Sequence, residues 1–166
     1  MQNYTSKNTS VNTKNLPAVY NKVCWDKLPE DAKVLDWGCG KDRRLIIEMM
    51  DRYDLAYIGF DPYWLSDKHN KLAESLLGKA EVFICSNVLN VIDDDNVIKD
   101  ICNKATQHKY FFITVYEGNK SGVGKRSKED CYQRNDKLKY YLKYFPQEDN
   151  ICIKKGVITN APDLIK

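Results

Sequence analysis

Apolar residues follow two alternating patterns along this chain. Short runs rich in β-branched and aromatic residues predict buried strands, at 33–37, 56–60, 81–86 and 109–118. Between these runs, apolar residues recur at helical spacing and predict helices, at 42–53, 65–78 and 93–106. Strands that alternate with helices predict an α/β fold with a mostly parallel sheet.

The two ends of the chain depart from this alternation. Residues 1–15 lack periodicity and are rich in Asn, Thr and Ser, so we expect them to be mobile. Residues 16–28 predict a lead-in helix, with Pro17 tolerated in its first turn. Residues 129–145 predict a further helix, and 150–160 predict an antiparallel hairpin about a Lys-Gly turn. We interpret residues 1–166 as a single domain.

Composition narrows the class of protein. The chain has 166 residues, of which 43% are hydrophobic and 30% charged, typical of a globular domain. No apolar run approaches the roughly 18 residues of a membrane span, and the polar N-terminus predicts no secretory signal. The six cysteines are scattered without a CxxC pair, which favours free thiols in the cytoplasm over disulfides. With only two histidines, a structural zinc site is not expected.

The net charge of +3 is unevenly distributed. Residues 1–24 carry three lysines and no acid, and residues 119–139 carry seven basic side chains against three acids. The remaining residues are therefore net acidic. Such local basic segments indicate surfaces that attract anionic ligands.

The segment VLDWGCG at 34–40 carries the strongest chemical signal. A buried strand runs into a glycine turn that is followed by a helix, an arrangement in which backbone N–H groups can approach a nucleotide closely. Asp36 stands two residues before the first glycine, and Arg43 occupies the position of a third glycine. This pattern favours a ligand with a cationic end over a pyrophosphate.

Asp36-Trp37-Gly38-Cys39-Gly40 closely resembles motif I of the class I S-adenosylmethionine (SAM)-dependent methyltransferases. The resemblance implies a three-layer Rossmann-like methyltransferase fold, with a mostly parallel sheet and the C-terminal hairpin. It also implies that Asp36, Gly38, Cys39 and Gly40 hold the methionine portion of SAM.

Asp61 ends the second predicted strand about twenty residues beyond the glycine turn. At the end of this strand, class I methyltransferases have an acid that accepts hydrogen bonds from both ribose hydroxyls. The resemblance therefore makes Asp61 and the adjacent Pro62 candidate cofactor residues. The alternative is that Asp-Pro only forms a turn. Tyr63 or Trp64 could stack on adenine or pack in the core. The family's next strand, with its adenine-binding acid, is shortened or missing in this chain.

The segment CSNVLNVI at 85–92 occupies the family's fourth-strand position, where catalytic residues lie. It looks like that of small methyltransferases of phages and mobile elements whose substrates are mostly unassigned. Asn87 is a candidate for both cofactor binding and catalysis, and Asn90 for catalysis. The alternative for both asparagines is to cap the next helix. Tyr116 is a further catalytic candidate, placed to stack on the methyl acceptor.

In this fold both basic segments border the cofactor mouth, so we expect a cationic rim that gathers an anionic acceptor such as a nucleotide or nucleic acid. The candidate substrate residues are Lys14, Glu117, Lys125, Arg126 and Arg134. The alternatives are a solvated lysine-rich loop and, for Glu117, the start of the turn at Gly118.

The chain lacks the two prolines that follow the catalytic residue in DNA amino-methyltransferases. A SAM-binding module without catalysis, or another SAM-consuming enzyme, remains an alternative.

Overall fold

A computed structural model describes residues 1–10, 13–147 and 150–166 of the chain. Its strands are β1 (Lys33–Trp37), β2 (Ala56–Phe60), β3 (Val82–Ser86), β4 (Tyr110–Thr114), β5 (Lys125–Lys128), β6 (Cys131–Gln133), β7 (Cys152–Lys154) and β8 (Val157–Thr159). Its α-helices are α1 (Ala18–Lys22), α2 (Arg44–Arg52), α3 (Asp67–Glu74) and α4 (Asp95–Thr106). Short 3₁₀-helices span Trp25–Lys27, Leu89–Val91, Leu138–Tyr144 and Pro162–Leu164.

Six strands form one mixed sheet in the order β2-β1-β3-β4-β8-β7. The pairs β1–β2, β1–β3 and β3–β4 are parallel, whereas β8 runs antiparallel to both β4 and β7. The α/β class, the mostly parallel sheet and the C-terminal hairpin are thereby confirmed. The chain leaves β1 on one side to form β2 and then returns to the other side to form β3. The carboxyl ends of β1 and β3 therefore flank a topological switch point, where open α/β sheets bind ligands.

The core lies on both faces of this sheet. Because side chains alternate along a strand, Leu35 and Trp37 belong to one buried cluster and Val34 to the other. The first cluster contains residues of α3 and α4, among them Ile98, and the second contains residues of α1 and α2, among them Met50. Helices on both faces bury the sheet and leave the carboxyl ends of its strands for a site.

The predicted helix at 129–145 is wrong. Asp130 and Asn135 have φ values of +53° and +60°, which an α-helix does not accommodate. The chain instead forms β6, which pairs antiparallel with β5, followed by a 3₁₀-helix. The lead-in helix is also shorter than predicted and ends at Lys22, because Val23 is extended and bridges to Ile165.

The other predicted elements are confirmed with adjusted ends. Serine and aspartate caps fix the starts of α3 and α4, since Ser66 Oγ accepts from His69 N–H and Asp94 Oδ1 accepts from Asn96 N–H. The β7–β8 turn places Lys155 and Gly156 at positive φ, as two-residue hairpin turns require. β2 is an edge strand, and in the described part of the chain the stretch between Asp61 and β3 forms α3 and turns.

Candidate functional site

A cavity of about 720 Å³ opens at the carboxyl ends of β1, β2 and β3. Its volume lies within the range of pockets that hold drug-sized ligands. Every residue that the sequence predicted for cofactor binding lines it: Asp36, Gly38, Cys39, Gly40, Asp61, Pro62 and Asn87. Residues separated by up to about fifty positions along the chain thus meet at the switch point, as open α/β sheets predict.

The glycine turn is held against the end of β2. The N–H groups of Gly38 and Cys39 both donate to the carbonyl oxygen of Phe60, at 2.8 and 3.0 Å. Gly38 and Gly40 have φ values of +80° and +72°, which disfavour any residue with a Cβ. At Gly38 a Cβ would also lie 2.4 Å from Val88 Cγ2, so this turn packs directly against the segment after β3.

We expect Gly38→Ala to lower the free energy of unfolding by about 2–4 kcal/mol, since a stiff valine blocks its Cβ in addition to the positive φ. Gly40→Ala is the matched control. It has the same sign of φ, but no atom lies within 4 Å of its Cβ position, so we expect a loss of about 1–2 kcal/mol. Urea unfolding of both variants measures the difference. Equal losses would show that contact with Val88 does not constrain the turn.

Asp36 is the more deeply buried of the two buried acids, Asp36 and Asp61, that line the cavity. Its Oδ2 accepts hydrogen bonds from the hydroxyls of Tyr20 and Tyr57, each at 2.7 Å, so Oδ1 takes part in neither bond. Burial raises the pKa of Asp36 to about 6, against the opposing effects of the two hydroxyls and Arg43. Burial also raises the pKa of both tyrosines, which therefore stay neutral donors. A buried carboxylate of this kind gains strongly from a cationic ligand.

Asp61 connects β2 to the glycine turn. Its Oδ2 accepts the Gly40 N–H and its Oδ1 accepts the Tyr63 N–H, both at 2.9 Å. Asn70 clamps the Asp61 backbone, accepting from its N–H at 3.0 Å and donating to its carbonyl at 2.9 Å. The contact with Tyr63 shows that Asp61 does form a turn, while the contact with Gly40 joins the two motifs. Each carboxylate oxygen retains a lone pair for a further donor.

The cavity has two chemically different halves. Neighbouring residues on β1 point to opposite sheet faces, and both Asp36 and Trp37 line the cavity. On the Trp37 side the lining is mostly apolar and includes Ile101, beside the exposed acid Asp100. Phe60 stacks on Trp37 at a centroid distance of 3.8 Å. One half thus suits a cation and the other a flat apolar group.

Aromatic residues also stand at the cavity beyond β2. Tyr63 and Trp64 line it and are partly exposed, so neither is core packing. Lys41 Nζ lies 5.1 Å from the centre of the Trp64 ring, within cation–π range.

The structure separates the three predicted catalytic residues. Asn87 lines the cavity at the end of β3 with φ +57°, its N–H bonded to the Thr114 carbonyl at 2.9 Å. Asn90 is buried outside the cavity lining, where its Nδ2 donates to Gln133 Oε1 and its Oδ1 has no protein partner. It does not cap α4, since Asp94 does. Tyr116 also lies outside the lining and is 62% exposed.

None of the predicted substrate residues lines the cavity. Glu117 begins a turn, because its carbonyl accepts from Lys120 N–H, and its Oε2 accepts from Leu138 N–H. Arg134 is ion-paired with Asp95 at 2.8 Å and Asp136 at 3.1 Å. Neither of these two residues lines the cavity.

The remaining basic candidates lie elsewhere as well. Lys125 and Arg126 are exposed on β5, outside the lining. Lys14 is outside it too, although Thr13 and Asn15 on either side line the cavity. The cations that do line the cavity are Lys7 and Lys41.

Two groups of cavity residues were not predicted from the sequence. Tyr20 and Tyr57 supply the donors to Asp36, and an acid in an apolar strand signals that such donors must exist without identifying them. The N-terminal residues 2–10 form a large part of the cavity wall.

Within the described ranges, no group of three or more His, Cys, Asp or Glu side chains could hold a metal ion, and no helix is long and apolar enough to cross a membrane. All six cysteines are free thiols.

No protein-family model matches the chain, and no curated protein matches it. What the cavity binds is therefore inferred from its own residues.

Proposed function

We propose that this protein is a SAM-dependent methyltransferase of the class I type. One observation carries the proposal: Asp36 and Asp61 line a single cavity on either side of a glycine turn, and Asp61 is bonded directly to that turn. SAM needs such a combination, because it joins a cationic amino-acid end to a ribose and a purine.

Each part of SAM has a matching part of the cavity. The buried carboxylate of Asp36 suits the ammonium of the methionine portion, since opposite charges attract strongly away from water. Asp61 offers two acceptor oxygens at a spacing that suits two neighbouring ribose hydroxyls. The apolar half around Trp37 suits the adenine ring. Leu45 and Ile46 in the first turn of α2 line the cavity, and a helix N-terminus favours an anionic group such as the cofactor carboxylate.

Methyl transfer depends mainly on how the cofactor and the acceptor are positioned relative to each other. When bound, SAM would supply a methyl group: the acceptor lone pair would form a bond to the methyl carbon in line as the C–S bond breaks and S-adenosylhomocysteine leaves. The protein's part is to orient the two molecules and exclude water. Asn87, held at the end of β3 in a conformation uncommon for residues with a side chain, is the polar residue we assign to orienting the acceptor.

We expect SAM binding to weaken as the pH falls through about 6. The folded protein binds the cation with ionised Asp36, and burial places the pKa of this carboxyl at about 6, so affinity falls roughly tenfold for each pH unit below that value. Tyr57→Phe removes one donor to the carboxylate and should move the midpoint to higher pH. Fluorescence or calorimetric titrations between about pH 5 and 7 measure both curves. A flat profile would exclude Asp36 as the counter-charge.

Transfer of tritium from methyl-labelled SAM tests the reaction itself. The protein is incubated with labelled SAM and a cell lysate, and label is sought in products other than the cofactor. Label in an acceptor supports the methyltransferase. Cofactor binding without transfer indicates a SAM-binding module, and breakdown of SAM without an acceptor indicates another SAM-consuming enzyme. We place the reaction in the cytoplasm, which the free thiols support.

A further inference from the structure

The N-terminal residues 2–10, here called the roof, cover one side of the cavity. Those that line it are hydroxyl and amide residues together with Lys7: Gln2, Thr5, Ser6, Asn8, Thr9 and Ser10. On another side of the same cavity stand Ser86, Asn87 and Val88 from the end of β3. The roof and these residues border one cavity, which remains partly open to solvent.

Ser6 anchors the roof to the β5–β6 hairpin. It is 6% exposed, with φ +52°. Its N–H donates to the Asp130 carbonyl at 2.8 Å. Its hydroxyl donates to the Val91 carbonyl at 2.9 Å and accepts the Tyr132 N–H at 3.1 Å. Three hydrogen bonds from this buried residue to groups outside the roof, two of them in the hairpin, make this a built attachment.

Further contacts hold the roof on both sides of the cavity. On the hairpin side, Tyr4 stacks on Tyr132 with ring centroids 5.3 Å apart. On the β2 side, Trp64 Nε1 donates to the Lys7 carbonyl at 3.2 Å. A roof tied at opposite sides spans the cavity. A nucleic-acid strand or a folded protein that approached from the roof side would have to break several of these bonds to present a target atom there.

We propose, on the premise of the function proposed above, that the methyl acceptor is a small molecule bound beneath the roof and not a polymer. Most of the roof's hydroxyl and amide side chains already bond within the protein. We assign the remaining lining side chains, Lys7 and Asn8, to the acceptor, which should therefore carry hydrogen-bonding groups. The basic residues suited to nucleic acid, Lys125 and Arg126, are exposed on β5 and contribute nothing to the cavity lining.

The test separates acceptors by size. A cell lysate is passed through an ultrafiltration membrane, and the low-mass filtrate and the retained DNA, RNA and protein are each incubated with the protein and tritiated SAM. We expect label in filtrate compounds. Label in retained nucleic acid or protein would overturn the small-acceptor proposal.

Variants make the test specific to the roof. Ser6→Ala removes two hydrogen bonds that hold the roof, so we expect transfer at limiting filtrate to fall about tenfold or more. Its affinity for S-adenosylhomocysteine should change less than about threefold. Asn8→Ala removes a lining amide without touching the anchors, and should raise the KM for the filtrate acceptor if Ser6→Ala fails to fold. Lys125→Ala with Arg126→Ala should leave transfer unchanged. Loss of transfer in this double variant with normal Ser6→Ala would overturn the proposal.

Cofactor binding by the unmodified protein tests the proposed function separately from the nature of the methyl acceptor. If the unmodified protein binds neither SAM nor S-adenosylhomocysteine, the proposed function itself fails. If it binds them but transfers label to neither fraction, the small-acceptor proposal is overturned while the cofactor site stands.

Discussion

Asp36→Asn should weaken SAM binding at least about 100-fold, because it removes the charge opposite the cofactor's cationic end from a buried site. Breaking a buried charge pair by removing one partner costs about 3–5 kcal/mol, which corresponds to that loss or more. The amide oxygen can still accept from Tyr20 and Tyr57, so the variant tests charge rather than shape. Calorimetric titration with SAM measures the effect.

Stability should move in the opposite direction in the same variant. Because burial raises the pKa of Asp36 to about 6 from 3.8, its ionised form is disfavoured in the folded state. Any stability linked to this group is therefore full below pH 3.8 and lost as the pH rises through about 6. At pH 8 the thermal midpoint of Asp36→Asn should equal or exceed that of the unmodified protein. Asp51→Asn, an exposed acid on α2, is the control and should change neither property. Normal SAM binding by Asp36→Asn would overturn the cofactor assignment.

Asp61→Ala should weaken SAM binding by about 100-fold, since it removes the acceptor for the ribose and frees the Gly40 N–H that orders the glycine turn. It should also lower the free energy of unfolding by about 1–3 kcal/mol, because the N–H groups of Gly40 and Tyr63 lose their partner. Calorimetry and urea unfolding measure the two losses.

A cofactor analogue separates these two causes. With S-adenosylhomocysteine that lacks both ribose hydroxyls, the difference between Asp61→Ala and the unmodified protein should shrink to the part due to the turn. Asp67→Ala changes an exposed acid in the first turn of α3 and is the matched control. If Asp61→Ala binds SAM within about threefold of the unmodified protein, the ribose assignment is wrong.

Local signals account for the part of the site that could be predicted from sequence. Gly38 and Gly40 mark a turn because their backbone conformation disfavours other residues, and Asp61 follows a strand of clear apolar pattern. The parallel order of β1, β2 and β3 then brings these residues together. The turn and strand signals are local to a few residues, and the alternation of strands and helices predicts the parallel order.

The predictions that were wrong or not made concern contacts between residues far apart in the chain. Nothing in the sequence distinguishes Tyr20 and Tyr57 among eleven tyrosines as the donors to Asp36. The charge pattern of residues 119–139 predicted that Arg134 is free to bind an anionic substrate, whereas Arg134 is ion-paired with Asp95 in α4. The helix predicted at 129–145 failed because β6 pairs with β5 and its turn requires a left-handed Asp130. Periodicity within a window carries none of this information.

Calorimetric titration of the unmodified protein with SAM and S-adenosylhomocysteine tests the cofactor site most directly. We expect each ligand to bind once per chain at neutral pH, and each to displace the other. Absence of binding to both would contradict the assignment of Asp36, the glycine turn and Asp61 as a SAM site.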